Sequence, residues 1–275
     1  MNLFFPLIFL LNLIIPSLHA QEDAWNYMNE DLHPGETLHM NAQELEQVLE
    51  PSPQIEDDDP WEPMNRGIFA FNDFLDEIFF DRIAAMYKGV VPEFFRERVG
   101  YVLRNLSEPI VLANNLLQGE MGDAEDTLRR FLINSTVGIG GLFDISTGLD
   151  IPYKKEDFGL TLASWGIQPG PYLVLPILGP STLRDTVGRI GDYGFDPINW
   201  WAYLDDRAVY SYTRSGMQLL DAKADNIEII KELKTKALDP YLAFREWYLA
   251  RREYLISKET QNLDTPRPDD EDEDL

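Results

Sequence analysis

The sequence predicts an all-α fold of many short helices joined at Gly/Pro corners, on three observations. Apolar residues recur at helical spacing in one segment after another. Clean period-two alternation is almost absent, and no internal repeat occurs. Proline and glycine, 18 of each, punctuate the segments.

The first helix starts after DPWE. Asp59 is a candidate N-cap with Pro at the first helical position, or Pro63 opens the helix itself. In MNRGIFAFNDFLDEIFFDRIAAMY, residues Ile68, Phe71, Leu75, Ile78 and Phe79 fall on one helical face. PEFFRERVGYVLRNL starts at Pro92, and SEPIVLANNLL is predicted as a further segment closed by Gln118 and Gly119. DAEDTLRRFLINST is predicted to be capped by Asp123. KKEDFGLTLASW, STLRDTVGRIGDYG and INWWAYL follow as short helices. Residues 205–238 read as one long or two joined helices, and the last helix begins at Asp239–Pro240.

WGIQPGPYLVLPILGPSTLRD, residues 165–185, stands apart. Pro recurs at 169, 171, 176 and 180, and Gly at 166, 170 and 179. No helix runs through such a pattern, and central strands reject proline. The segment is expected to be extended and irregular, although its side chains favour leaving water.

Four regions are expected: 1–20, 21–58, 59–263 and 264–275. MNLFFPLIFLLNLIIPSLHA has no charged side chain and is short for a bilayer span. It reads as a secretory signal cleaved after Ala20, with a retained anchor as the alternative. The net charge of -25 sits largely in two tails: residues 21–60 hold twelve acids and no Lys or Arg, and 264–275 hold seven acids. Both tails are expected to be solvated chain. The charge argues against nucleic acid as a partner and against a polybasic grip on lipid. Cysteine is absent, which excludes disulfides, thiol catalysis and Cys metal sites. No segment of the helical region has the roughly 20 apolar residues of a membrane span. Residues 101–117 are apolar over most of their circumference toward the end, so that face is buried in protein or in lipid.

The sequence contains no nucleophile elbow, P-loop or HExxH motif. VGIGGLFD lacks dinucleotide-binding spacing, so no cofactor is expected. The only histidines, His19, His33 and His39, precede the helical region. Acid–base catalysis near neutrality would need a strongly shifted Glu, Asp or Lys. A non-enzymatic protein without metal is expected.

DPWEPMNRGIFAFND resembles the opening motif of the MlaA (VacJ) family of bacterial outer-membrane proteins. NLSEPIVLANNLLQG, RFLINSTVGIGGLFDIST, EDFGLTLASWGI and GPYLVLPILGPSTLRD resemble later blocks of that family in the same order, over about residues 57–205. The resemblance implies a ring-shaped assembly of short amphipathic helices around a central channel, in the inner leaflet of the outer membrane. It implies removal of mislocalised phospholipid from the outer leaflet, and trimeric porin and periplasmic lipid carrier as partners. One departure is clear: members of the family usually carry a lipidated Cys after the signal, and this chain has Gln21 there. The alternative is a soluble periplasmic scaffold that reuses the fold without transferring lipid.

On that reading the expected lipid pathway is lined by Asn65, Phe71 and Asn72, by Gly138, Gly140, Gly141, Leu142 and Phe143, and by Gly170, Pro171, Tyr172, Leu175 and Pro176. The asparagines, with Arg66, face the ring interior or tie neighbouring helices together. The glycines permit close backbone approach, or serve ordinary turns. Arg184 and Asp185 form a local pair or meet a head group. Trp200, Trp201 and Tyr203 suit a membrane interface or pack in a core. The last helix, with Arg245, Arg251 and Arg252, is expected to project into the periplasm.

Overall fold

The computed structural model describes residues 59–205 and 207–264. The expected signal, the acidic linker, the histidines and the acidic tail from residue 265 lie outside the described residues. Helix α1 (Glu62–Leu75) continues through a π-helical turn (Asp76–Phe80) into α2 (Asp81–Val90). Then come α3 (Glu93–Gln118), α4 (Met121–Thr136), a 3₁₀ turn (Thr147–Leu149) and α5 (Phe158–Ser164). A hairpin of β1 (Tyr172–Leu175) and β2 (Gly179–Thr182) leads into α6 (Leu183–Phe195) and α7 (Pro197–Leu204). Helices α8 (Ala208–Lys236) and α9 (Pro240–Asp264) complete the fold. The all-α expectation holds, with one small hairpin added.

Three local expectations are corrected. The two segments meeting at Ser107 are one 26-residue helix that runs through Pro109. An internal proline costs about 3 kcal/mol. Burial of Asn105, Glu108, Ile110 and Val111 on both sides of it outweighs that. Asp123 does not cap α4; Glu120 takes the cap position without a side-chain bond, and Asp123 instead accepts from Lys154 at 2.8 Å. Residues 172–182 form strands despite Pro180. A two-stranded sheet has only edges, and Pro180 lies opposite Val174, whose N–H points away to Asn65 at 2.9 Å.

The helix start expected at Asp239 holds, and Thr182 and Asp196 cap two further helices whose caps the sequence reading did not name. Thr182 accepts from Asp185 N, Asp196 from Ile198 N, and Asp239 from Tyr241 N. Helices α5 and α6 meet closely through Gly188. A Cβ there would lie 2.4 Å from the Gly159 nitrogen and 2.6 Å from its Cα, both backbone atoms that cannot swing aside. Gly188→Ala is therefore expected to destabilise by about 1–3 kcal/mol, measured by thermal unfolding in detergent. An unchanged midpoint would show that the two helices slide apart freely.

Many polar and charged side chains are buried and many large apolar ones are exposed, unlike the usual water-soluble bundle. Asn65, Glu108, Asn114, Arg130, Asp185 and Arg252 are buried, while Phe71, Val90, Ile139, Ile190, Trp200 and Tyr203 are exposed. Tyr203 reaches 80% and Val90 74%. Among the described residues, buried apolar clusters include Tyr172, Val174, Tyr241 and Tyr248, and Ala84, Ala224 and Ile227. Among the described residues no helix is long and apolar enough to cross a membrane.

Candidate functional site

The predicted pathway residues fall into two groups. The first is the loop between α4 and the 3₁₀ turn. After α4 the chain doubles back: Gly138 N bonds Ile133 O at 3.0 Å, Gly141 N bonds Asn134 O at 2.8 Å, and Phe143 N bonds Gly138 O at 3.0 Å. Gly138 and Gly141 are required here. A Cβ on Gly138 would sit 2.3 Å from Phe143 O, and one on Gly141 2.6 Å from Asn105 Cβ. Asn134 ties the far end, its Oδ1 accepting from Ile145 N, Ser146 N and Ser146 Oγ. The loop thereby turns Val137, Ile139, Leu142 and Phe143 outward. Arg98 lies 4.3 Å from the Phe94 ring centroid and 5.1 Å from that of Phe143, anchoring the loop to α3.

Behind the loop, Arg130 is 2% exposed and held on all sides. It donates to Glu108 at 3.0 Å, to both Asp144 oxygens at 3.2 Å, to Thr147 Oγ1 at 3.2 Å and to Ile151 O. Burial pushes the Glu108 carboxyl up to about 7 against the pull of Arg130. Burial also opposes ionisation of Asp144, but Arg130 and the Thr147 hydrogen bonds win and hold it below its ordinary value. Tyr101, Arg104, Asn105 and Gly141 close around this cluster and leave no space for a water molecule. Arg104 stacks over Tyr153 at 5.0 Å.

The second group gathers on the hairpin. Asn65 Nδ2 donates to Tyr172 O at 3.0 Å, and Val174 N donates to Asn65 Oδ1 at 2.9 Å. Asn72 Nδ2 donates to Leu175 O at 2.9 Å, and Ile177 N donates to Asn72 Oδ1 at 2.6 Å. Of the two expected roles for these amides, the hydrogen bonds realise the tie, with a hairpin as the second element. Asn65 is completely buried and Phe71 is half exposed on the outer side of α1. Tyr172 is buried and Pro176 exposed, with Leu175 between. Gly170 and Pro171 lead into β1, and Leu183 N returns to Pro171 O at 3.1 Å. Arg66 does not join the asparagines; it pairs with Asp239 at 2.8 Å and stacks over Tyr241 at 4.4 Å.

Sequence reasoning missed a further buried ion cluster. Arg252 donates to Asp157 at 2.7 Å and to Asp185 at 2.8 Å, with Arg184 3.1 Å and Tyr248 OH 2.8 Å from Asp185. Arg184 and Asp185 thus form the local pair. The last helix does not stand away from the body: Arg252 and Tyr248 point inward against α5 and α6. Arg214 with Asp196, and Lys223 with Asp76, are further buried pairs. The legible signal was charge inside apolar-rich helical segments, which in a lipid-facing protein marks the interior.

Comparison with known proteins places these features. A family model described as MlaA lipoprotein matches residues 57–255. An uncharacterized protein of Rickettsia felis is 31% identical over 264 residues, 95% of this chain and 98% of the relative. The intermembrane phospholipid transport system lipoprotein MlaA of Haemophilus influenzae is 30% identical over 79% of this chain and 84% of its own length. Its Escherichia coli namesake is 30% identical over 72% and 78%. A solved structure reported as a structural basis for maintenance of bacterial outer membrane lipid asymmetry superimposes with a TM-score of 0.60 at 27% identity, covering 72% of this chain and 98% of the other. The chain belongs to the MlaA lipoprotein family.

Proposed function

We propose that this protein is a passive phospholipid conduit of the bacterial outer membrane. It takes mislocalised phospholipids from the outer leaflet and passes them to a periplasmic lipid carrier, so preserving lipid asymmetry. The observation that carries this reading is the coexistence of buried ion pairs with many exposed large apolar side chains. Polar and charged groups are paired inside, and large apolar side chains cover the outside on several faces. Exposed apolar side chains in this number fit acyl chains or an apolar partner, and ion pairs directed inward fit a lipid-facing helical protein. The half-exposed Trp200 and Trp201 suit the water interface of the layer. Retention would come from this surface and from a trimeric porin beside it.

The glycine loop and the hairpin would form walls of the path, with the helices that flank them enclosing a channel in a ring. No bond is made or broken in this role. The test has two parts. In cells lacking their own MlaA, the chain is expected to lower outer-leaflet phospholipid and to stay with the outer membrane after a high-salt wash. Ile139→Asp with Ile190→Asp, both on the apolar surface, is expected to shift the chain at least several-fold toward the soluble fraction. A wild-type chain released by salt, or one that leaves asymmetry unrestored at normal abundance, would refute the reading. Photo-crosslinkers at 138–143 and 170–178 are expected to capture phospholipid.

A further inference from the structure

The bonds made by Asn65 and Asn72 share one pattern. Each side-chain amide donates to the carbonyl of hairpin residue i and accepts from the N–H of residue i+2: 172 and 174 for Asn65, 175 and 177 for Asn72. This is what a neighbouring strand offers an open edge, so the two amides stand in for a third strand. The spacing makes it fit. Seven residues of helix rise about 10.5 Å, and three residues of strand advance about 10 Å. Two turns of α1 are therefore commensurate with the step from Tyr172 to Leu175.

The second rung falls on a turn that is unfavourable by itself. Leu178 N bonds Leu175 O at 3.2 Å, with Pro176 and Ile177 between. Pro at the second position and a positive φ at the third define a type II turn, which calls for Gly or Asn at the third position. Here Ile177 holds that place at φ 69°. A β-branched residue in this region is strained, and such strain persists only where surroundings impose it. Asn72 bonds both the carbonyl that closes the turn and the N–H of the strained residue. The first rung is itself fixed, because Asp59 accepts from Asn65 at 3.0 Å and also from the Tyr241 hydroxyl on α9.

We propose that Asn65 and Asn72 are positioning residues that clamp the hairpin to α1 in one register, and that Asn72 holds the Leu175–Leu178 turn in its strained form. Resting on the conduit reading, the hairpin tip so shaped bounds the lipid path; Asn72 acts through the tip and not by touching lipid.

The experiment uses the full chain in detergent micelles and reads amide exchange at Leu178, whose N–H closes the turn. Asn72→Leu is expected to speed that exchange about tenfold to thirtyfold, for two lost hydrogen bonds. Ile177→Gly alone is expected to leave it protected, because glycine takes a positive φ without strain. In the double variant the turn no longer needs its clamp, and Leu178 exchange is expected to return to within about threefold of wild type. The four proteins are then scored for outer-leaflet phospholipid at matched abundance. Asn72→Leu is expected to lose asymmetry and the double variant to regain it, which a residue that merely stabilised the fold or contacted lipid would not do. Unchanged Leu178 exchange in Asn72→Leu, or no recovery of protection in the double variant, overturns the clamp. Exchange as expected with a wild type that does not restore asymmetry supports the clamp and overturns the conduit.

Discussion

Replacing Arg252 by Met is expected to lower stability by about 3–5 kcal/mol and to loosen α9 from the body. The side chain is 3% exposed and is the cation that Asp157 and Asp185 share. Burial alone would raise the Asp185 carboxyl, but Arg252 first, then Arg184 and the Tyr248 and Thr182 hydrogen bonds, hold it well below the usual carboxylate range. Met fills similar volume without charge, so two carboxylates would face each other with only Arg184 nearby. Arg252→Lys keeps the charge but not the forked geometry, and is expected to lose less. The pH dependence has a defined sign. A depressed folded pKa stabilises above the ordinary carboxylate value and is lost as pH falls below it. Wild-type stability is therefore expected to drop below about pH 4, and the Arg252→Met curve to be flatter there. Chemical unfolding across pH 2–7 measures both. Equal stability of wild type and Arg252→Met at pH 7 would show that the cluster does not hold α9.

Arg130→Met is expected to have an effect of the same size, about 3–5 kcal/mol, because it strands Glu108 and Asp144 together. Glu108→Gln is expected to act in the opposite direction. The Glu108 carboxyl is raised to about 7 from 4.5, and its Oε2 is buried with no hydrogen-bond partner among the described residues. A carboxyl with a raised folded pKa contributes fully below its unfolded value and loses that contribution as pH rises through the folded one. Above pH 7 the fold holds a buried charge that Gln would remove, while Gln still accepts from Arg130 Nε. The variant is expected to match wild type near pH 4.5 and to exceed it by up to about 3 kcal/mol at pH 8. A less stable Glu108→Gln at pH 8 would mean that the ionised pair is worth more than its desolvation.

The sequence alone carried the helical class, most helix ends and the family. Helical spacing and start signals such as Asp239 before Pro240 are local, because they act within one turn of chain. Five motif blocks in fixed order carried the family in the same linear way. Pro109 misled because its penalty is local, while the burial that overrides it comes from elements far along the chain. Asp123 misled because its partner, Lys154, lies 31 residues away.

What only the tertiary structure decided is which way each side chain faces and which charges meet. Arg130, Arg214 and Arg252 look like surface residues in a linear reading, and each is buried against a carboxylate from another element. Asn65 and Asn72 were legible as polar residues on an apolar helix, but their grip on the hairpin spans more than 100 residues of sequence. A helical period tells that two faces differ. It does not tell which face meets the solvent, because a lipid-facing helix and a water-facing one share the same spacing with the sides exchanged.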